Sequence, residues 1–196
     1  KESSMLTGAL EPTNDAYAIA KIAGIRLIDA YRSEYDRQWI SAMPTNIYGP
    51  GDNFDLETSH VLPAMLRRFD EAVKSKSPSV TLWGTGRALR EFLYVDDLAQ
   101  AVIFLLDNYN EPGPINVGFG EEVSIRELAQ LIAGITGFEG EIAWDVTRPD
   151  GTPRKLLDSS RLRGLGWEPK TSLLEGVLRT YEWLSKREGI ATNQTR

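Results

Sequence analysis

The 196-residue sequence contains no cysteine and only one histidine, His60. Disulfide bonds, thiolate catalysis and cysteine-based zinc sites are therefore excluded for this chain, and with a single histidine we expect no metal site. Long apolar runs are missing too, since no stretch approaches the roughly 18 residues that span a bilayer. The N-terminus lacks the basic-then-apolar layout of a secretory leader. We therefore expect a cytoplasmic protein that does not bind membranes.

Basic residues are fewer than acidic ones. Lys and Arg number 22 against 28 Asp and Glu, which gives a net charge of -6. Nucleic acids and anionic membrane surfaces attract basic proteins, so neither is an expected partner. Any site for an anionic ligand must therefore be a local cluster of cations. The hydrophobic content of 41% is ordinary for a globular protein.

The spacing of apolar residues predicts helices that alternate with short strands, a pattern typical of an α/β fold. Predicted helices are 14–35, 59–76, 96–106, 124–137 and 172–186. Predicted strands are 39–45, 79–83, 89–95, 114–118 and 140–146. Ser59 and the Ser124-Ile-Arg-Glu127 capping box are expected to start two of the helices. Residues 46–53 and 147–155 are predicted as loops, and Gly84-Thr85-Gly86 as a hairpin turn.

Tyr17 and Lys21 lie one helical turn apart, on the same face of the first predicted helix. A cation about 4 to 6 Å from a phenol favours the phenolate and lowers a pKa that is ordinarily about 10. The pair can therefore act as a proton donor. Because the surrounding helix is rich in alanine and almost entirely apolar, we expect a buried, functional pair and a helix covered on two sides, by a sheet and by a partner subunit.

Several motifs together resemble the extended short-chain dehydrogenase/reductase family. They are Leu10–Asn14 with Tyr17–Gly24, Met43–Pro50, Ser59–Val61 with Arg67-Arg68, Trp83–Gly86 with Arg90–Phe92, and Pro149–Asp158. Many members share the Tyr-Lys and Asn-x-Tyr-Gly-Pro elements. The combination of His60 with Pro149–Asp158 is more specific, and it is similar to the NADP-dependent branch that epimerises and then reduces GDP-4-keto-6-deoxy-D-mannose. The resemblance covers residues 6–183.

The resemblance implies a Rossmann-type fold with a smaller α/β substrate domain. Residues 1–54 would be the C-terminal remnant of the NADP-binding domain, to which a segment near 88–120 returns, and residues 55–196 would mainly form the substrate domain. The family's glycine-rich phosphate loop is not in this sequence, because Gly118-Phe119-Gly120 has no third glycine. Its upstream serine and cysteine are missing as well. We therefore expect the chain to be the C-terminal part of a longer enzyme.

The resemblance also implies roles for individual residues. Tyr17, Lys21 and His60 would be catalytic: Tyr17 gives the proton to the ketone oxygen, Lys21 holds the cofactor ribose, and His60 returns a proton to the sugar. The residues implied to bind NADP(H) are Lys21, His60, Pro44, Thr45, Asn46 and Ile47. The residues implied to bind the GDP-sugar are Arg68, Trp83, Arg90 and Asp150. A homodimer through the helix that carries Tyr17 is expected.

Other interpretations remain open from the sequence. Without the resemblance, His60 is a helix-start residue, Trp83 a core aromatic, and Arg67-Arg68 a solvated helix face. The parent enzyme could be another nucleotide-sugar epimerase or dehydratase of the same family. A third possibility is a non-catalytic fragment that binds GDP or forms dimers.

Overall fold

A computed structural model describes residues 1–194, with side chains as far as residue 187. The α-helices in this part of the chain are α1 Asp15–Tyr35, α2 Val61–Ser75, α3 Val95–Asn108, α4 Ile125–Thr136, α5 Ser160–Gly164 and α6 Leu173–Gln194. The strands are β1 Ser41–Pro44, β2 Asn46–Tyr48, β3 Ser79–Trp83, β4 Leu89–Arg90, β5 Phe92–Tyr94, β6 Pro114–Val117, β7 Val123–Ser124, β8 Glu141–Asp145 and β9 Arg154–Lys155. The predicted α/β class is confirmed.

The strands form small sheets whose pairing is mostly parallel. Strand β1 pairs with β6, β2 with β5 and β3 with β8, all in parallel. Strand β4 is central in a three-stranded sheet, antiparallel to β7 and parallel to β9. The hairpin predicted at Gly84–Gly86 is therefore wrong, because β3 and β4 pair with strands that come much later in the chain.

One extended segment passes through two sheets. Strand β1 ends at Pro44, the Thr45 amide donates to the Val117 carbonyl at 3.0 Å, and β2 begins at Asn46. Residues 46–48 were predicted as loop, but they pair with β5 and are strand. Residues 154–155, also predicted as loop, pair with β4. Both predictions failed because a short strand is defined by a distant partner rather than by its own sequence.

Two hydrophobic cores lie on either side of β5. The first includes Leu66 and Phe69 of α2, Leu128 of α4 and Val177 of α6, together with Phe92 and Tyr94. The second includes Leu105 of α3, Ile115 of β6 and Leu162 of α5, together with Leu93. Alternate residues of a strand face opposite sides. Strand β5 therefore separates the two cores and belongs to both.

Helix α1 has no buried residue in the described structure. Its second half is held by polar contacts: Arg32 donates to the Trp39 carbonyl and to Asn110, and Asp29 accepts from the Gly113 amide at 2.9 Å. No side chain of this helix is buried by the described residues, so its cover by a sheet and by a partner subunit stays a prediction.

Helix starts follow the sequence in one case and depart from it in another. Ser124 accepts from the Glu127 amide at 3.1 Å while Glu127 accepts from the Ser124 amide at 2.8 Å, so the predicted capping box is present. Helix α2 instead begins after His60, which takes the N-cap position in place of Ser59.

Within residues 1–194, no helix combines the length and apolar character that crossing a membrane requires.

Candidate functional site

The Tyr17–Lys21 pair lies in the first two turns of α1. The Lys21 ammonium nitrogen is 5.4 Å from the centroid of the Tyr17 ring, as the helical spacing predicts. Tyr17 is 60% exposed, so the prediction of a buried pair is wrong. The physical reason is that α1 is anchored only through its second half, which leaves its first turns open. Both functional groups can be reached by a ligand.

His60 precedes the first turn of α2. Its carbonyl accepts from the Ala64 amide at 3.0 Å, and its side chain is exposed and makes no capping hydrogen bond. The hydroxyl oxygen of Ser59 is buried without a partner among the described residues, so it does not cap the helix. His60 thus holds the helix-start position through its backbone and leaves the imidazole available for other contacts.

The segment from Pro44 to Ile47, predicted to lie along the cofactor, is fixed by the backbone of Glu91. The Asn46 side-chain amide donates to the Glu91 carbonyl at 2.7 Å, and the Thr45 hydroxyl lies 3.4 Å from the same oxygen. These contacts set the position of the segment at the boundary between the two cores. Its role in binding cofactor stays a prediction.

Glu91 belongs to the Arg90–Phe92 motif, although no role was predicted for it. Its side chain is fully buried, and the carboxylate accepts from the Gly120 amide at 2.6 Å and the Leu157 amide at 3.1 Å. A Cβ added at Gly118 would lie 2.4 Å from this carboxylate. The signal that could have revealed it is an acidic residue directly before the buried apolar strand β5. Glu91 joins the 44–47 segment to the loops that carry Gly120 and Leu157.

Trp83 ends β3 and is 59% exposed, so it is not a core aromatic. The guanidinium of Arg148 stacks over its ring at 5.1 Å from the centroid. Arg148 is placed there by the turn after β8, where its amide donates to the Asp145 carbonyl at 3.2 Å. An exposed tryptophan beside a guanidinium offers a stacking surface next to positive charge.

Arg68 lies beside β3, and Arg90 is the second residue of β4. Arg68 Nη1 is 3.5 Å from the Thr81 carbonyl of β3. Arg90 donates to the Leu89 carbonyl at 2.7 Å, and burial lowers the pKa of its guanidinium while the charge of Asp150 raises it. Both arginines are half-buried rather than fully solvated.

Asp150 is held by Thr85. One carboxylate oxygen accepts from the Thr85 amide at 2.6 Å and the other from the Thr85 hydroxyl at 2.7 Å. These bonds lower the pKa of the Asp150 carboxyl, the side-chain bond most strongly. The role predicted for Asp150 in binding a nucleotide stays a prediction.

Four of the predicted residues are connected through β3 and the segment after β8: Arg68 reaches the Thr81 carbonyl, Asp150 binds Thr85 beyond Trp83, and the charge of Asp150 acts on Arg90. We call them, with Arg148, the arginine–tryptophan cluster: Arg68, Trp83, Arg90, Arg148 and Asp150. Among the described residues, no hydrogen bond or ion pair joins Tyr17, Lys21 or His60 to this cluster. The described part of the chain likewise contains no group of three or more His, Asp or Glu side chains arranged to hold a metal ion.

The chain matches a family model and many known proteins. The model, described as the NAD dependent epimerase/dehydratase family, matches residues 1–118. The chain is 58% identical over 185 residues to GDP-L-fucose synthase 1 of Arabidopsis thaliana, covering 94% of this chain and 57% of that protein. It is 50% identical over 196 residues to the GDP-L-fucose synthase of Escherichia coli (strain K12), covering 95% of this chain and 61% of that protein.

A solved structure agrees with these relatives. The GDP-L-fucose synthetase from Naegleria fowleri bound to NADP is similar with a TM-score of 0.87 at 27% identity, covering 96% of this chain and 61% of that one. The chain therefore spans a little over half the length of the proteins that it matches.

Proposed function

Because the chain belongs to the NAD dependent epimerase/dehydratase family, we propose that it is the C-terminal part of a GDP-L-fucose synthase. The reaction is the 3,5-epimerisation and 4-reduction of GDP-4-keto-6-deoxy-D-mannose to GDP-L-fucose with NADPH. The arginine–tryptophan cluster carries this proposal. Arg148 stacks there on the exposed Trp83, and guanidinium groups beside an aromatic ring suit a nucleoside diphosphate.

Tyr17 is proposed to move protons at the C4 oxygen of the sugar. Protons on the carbons beside a ketone become removable when a hydrogen bond stabilises the negative charge that develops on the oxygen. In the reduction the same hydroxyl gives its proton to that oxygen. Lys21, 5.4 Å from the ring, places a positive charge next to the phenol.

His60 is proposed to return a proton to the sugar carbon during epimerisation. An imidazole with an ordinary pKa of about 6.5 can give and take protons near neutral pH. Its position supports this role, because the side chain is exposed and is not used to cap α2.

NADPH would supply the hydride for the reduction. Residues of this chain are suited to bind NADPH. Lys21 is exposed and makes no ion pair with the described residues, so its ammonium can bind a ribose hydroxyl. Pro44, Thr45, Asn46 and Ile47 are proposed to lie along the nicotinamide, since the Glu91 carbonyl holds their strand in place.

Helix α1 is proposed to form a homodimer. Large apolar side chains remain exposed along it: Ile19 is 57% and Leu27 58% exposed. Burying such side chains would stabilise a paired helix. Light scattering should give twice the mass of the chain, and an Ile19→Glu/Leu27→Glu variant should be monomeric. A wild-type monomer at high concentration would refute the dimer.

Calorimetry tests the proposed ligand site. We expect the 196-residue chain to bind GDP, and the Arg90→Gln variant to bind it at least about tenfold more weakly, because a guanidinium–phosphate contact is lost. Arg187, which stacks on Trp183 at 5.2 Å outside the cluster, gives a matched control in Arg187→Gln.

The alternatives predict other results. Binding of UDP in preference to GDP would favour another nucleotide-sugar enzyme of the family. Binding of neither nucleotide would indicate a fragment that does not bind ligand, and it would refute the proposed site in this chain.

A further inference from the structure

Glu91 completes a ring of hydrogen bonds around the strand segment that is proposed to lie along the nicotinamide. On one side of this segment, the Thr45 amide donates to the Val117 carbonyl at 3.0 Å. The chain continues from Val117 to Gly120, whose amide donates to the Glu91 carboxylate at 2.6 Å. On the other side, the Asn46 side chain donates to the Glu91 carbonyl at 2.7 Å. The segment is therefore held from both sides, and the Glu91 side chain closes the ring.

The same carboxylate is also bonded to the chain that runs beside Arg90. Its second oxygen accepts from the Leu157 amide at 3.1 Å. Leu157 follows β9, and β9 pairs in parallel with β4, where Arg90 is opposite Lys155. Arg90 precedes Glu91 in sequence and is proposed to bind the diphosphate. Glu91 therefore joins the segment proposed to bind the cofactor to the strands proposed to bind the GDP-sugar.

The Glu91 carboxylate has no room to move. The side chain is fully buried, and a Cβ at Gly118 would lie 2.4 Å from its nearer oxygen and 2.8 Å from the Ser159 hydroxyl oxygen. Only glycine leaves space for this contact. Each carboxylate oxygen receives one backbone N–H, and such bonds are shorter and stronger than those between neutral groups. The carboxylate is therefore a rigid anchor for both loops.

We propose that Glu91 is a positioning residue, which holds the 44–47 segment and Arg90 at the spacing that hydride transfer to the sugar requires. Because the side chain is fully buried, it acts through the segments that it joins. Reacting atoms must approach to about 3 to 3.5 Å, and a displacement of about 1 Å can cost about a hundredfold in rate. This inference rests on the proposed function, because it concerns the same reaction.

Glu91→Gln tests the anchor with almost no change in size. A glutamine side chain has one oxygen and one NH2 group, so in either orientation an N–H faces the amide of Gly120 or of Leu157. In the full-length protein that carries this sequence, kcat for ketone reduction should fall about tenfold, because the two sites lose their spacing. The dissociation constants of GDP and NADPH should stay within about twofold of the wild type, since each site by itself is intact. NADPH oxidation measures kcat, and calorimetry measures the dissociation constants.

The 196-residue chain provides a measurement that needs no ligand. Hydrogen exchange followed by NMR should become at least about tenfold faster at the amide of Gly120, of Leu157 or of both in Glu91→Gln, because one of them loses its acceptor. Unchanged exchange at both amides would show that the anchor does not hold the loops, and the proposal would be wrong.

Asp97→Asn is the matched control. Asp97 is also a buried carboxylate whose two oxygens accept from backbone amides, those of Lys170 at 3.3 Å and Thr171 at 2.9 Å. The segment that it holds leads into α6 and contains no residue proposed to bind a ligand. The variant should lower the melting temperature as Glu91→Gln does, but kcat should stay within about twofold of the wild type.

Glu91→Asp keeps the experiment decisive if Glu91→Gln does not fold. It retains the carboxylate but is one methylene shorter, so it reaches only one of the two amides. Its kcat should fall about threefold, again with nearly unchanged dissociation constants.

Two kinetic results would overturn the role of Glu91. If kcat in the Glu91 variants falls no further than in Asp97→Asn at an equal loss of melting temperature, the contact serves stability alone. If the dissociation constant of GDP or NADPH rises as much as kcat falls, Glu91 shapes one ligand site rather than the spacing between two. A wild-type protein that does not reduce the ketone is a separate outcome, which refutes the proposed function instead.

Discussion

Tyr17 and Lys21 are separated by one helical turn and share an open face of α1. Exposure matters for their proposed chemistry, since a substrate ketone must come within hydrogen-bond distance of the phenol. Tyr17 is 60% exposed, so the described chain does not by itself shield the pair from water.

A Tyr17→Phe change separates proton transfer from nucleotide binding. In the full-length protein that carries this sequence, it should reduce ketone reduction by at least about a hundredfold, because general acid catalysis contributes that much or more. GDP affinity should not change, since Tyr17 makes no contact with the arginine–tryptophan cluster. NADPH oxidation measures the first and calorimetry the second.

Tyr31→Phe is the control for this change. Tyr31 is also exposed on α1, but it stacks on Trp39 and lies far along the helix from Lys21. Its removal should leave the reduction rate within about twofold of the wild type. A Tyr17→Phe protein that still reduces the ketone at the normal rate would rule out the proton transfer proposed for Tyr17.

Motifs pointed to individual residues, whose ligand roles stay predictions, but they gave no sign of the hydrogen bonds that join distant segments. Trp83, Arg90 and Asp150 were singled out by motif, and the structure places the charge of Asp150 near Arg90. Glu91 was noted only as part of the Arg90–Phe92 motif, and Thr85 only as part of a predicted turn. Each nevertheless joins segments distant in sequence. Such links depend on which loops meet in space, and the local sequence carries no record of that.

At the scale of elements, α4 shows how closely a local signal can define a helix. Its capping box satisfies the free amides of the first turn, and Gly137 ends the helix with φ +75°. Strands β2 and β9 show the opposite case. They are two or three residues long, and only their partners β5 and β4 make them strands.

The capping box predicts a measurable loss of stability. Ser124→Ala should lower the free energy of unfolding by about 1 kcal/mol, because the Glu127 amide loses its acceptor. Ser33→Ala, at an exposed position within α1, should change it by less than about 0.5 kcal/mol. Urea unfolding measures both. Equal values for the two variants would show that the box does not hold α4.

For the whole molecule, titratable groups define a range of pH in which the fold is stable. Hydrogen bonds lower the pKa of acidic groups on the surface, and these are Glu11, Asp55, Glu127, Asp145, Asp150 and Asp158. Burial raises the pKa of tyrosines in or near the cores, namely Tyr48, Tyr94, Tyr109 and Tyr181.

The directions of these pKa shifts predict a pH range in which the free energy of unfolding is nearly constant. A lowered carboxyl pKa stabilises the fold above the unfolded value, about 4, and that contribution is lost as the pH falls through the folded pKa. A tyrosine with a raised pKa stabilises the fold at pH values below the unfolded pKa, about 10. That contribution is lost as the pH rises through the folded pKa. The free energy of unfolding should therefore be nearly constant between about pH 5 and 9.5 and decline on both sides.

Urea unfolding across this pH range checks the plateau. Tyr48→Phe should weaken the alkaline decline, because Tyr48 is the buried phenol whose pKa is raised most clearly. Tyr35→Phe, at an exposed tyrosine of α1, should leave the decline as it is. A steady loss of stability between pH 6 and 9 would contradict the assignment.

Strand β5 has a further consequence, for how the sequence can change over generations. Because Leu93 faces one core while Phe92 and Tyr94 face the other, a gain or loss of one residue there would exchange the two sets at once. Its partner β2 alternates in the same way, with Ile47 beside one core and Tyr48 in the other. Substitutions of similar size can accumulate in these five positions, whereas insertions and deletions should be eliminated by selection.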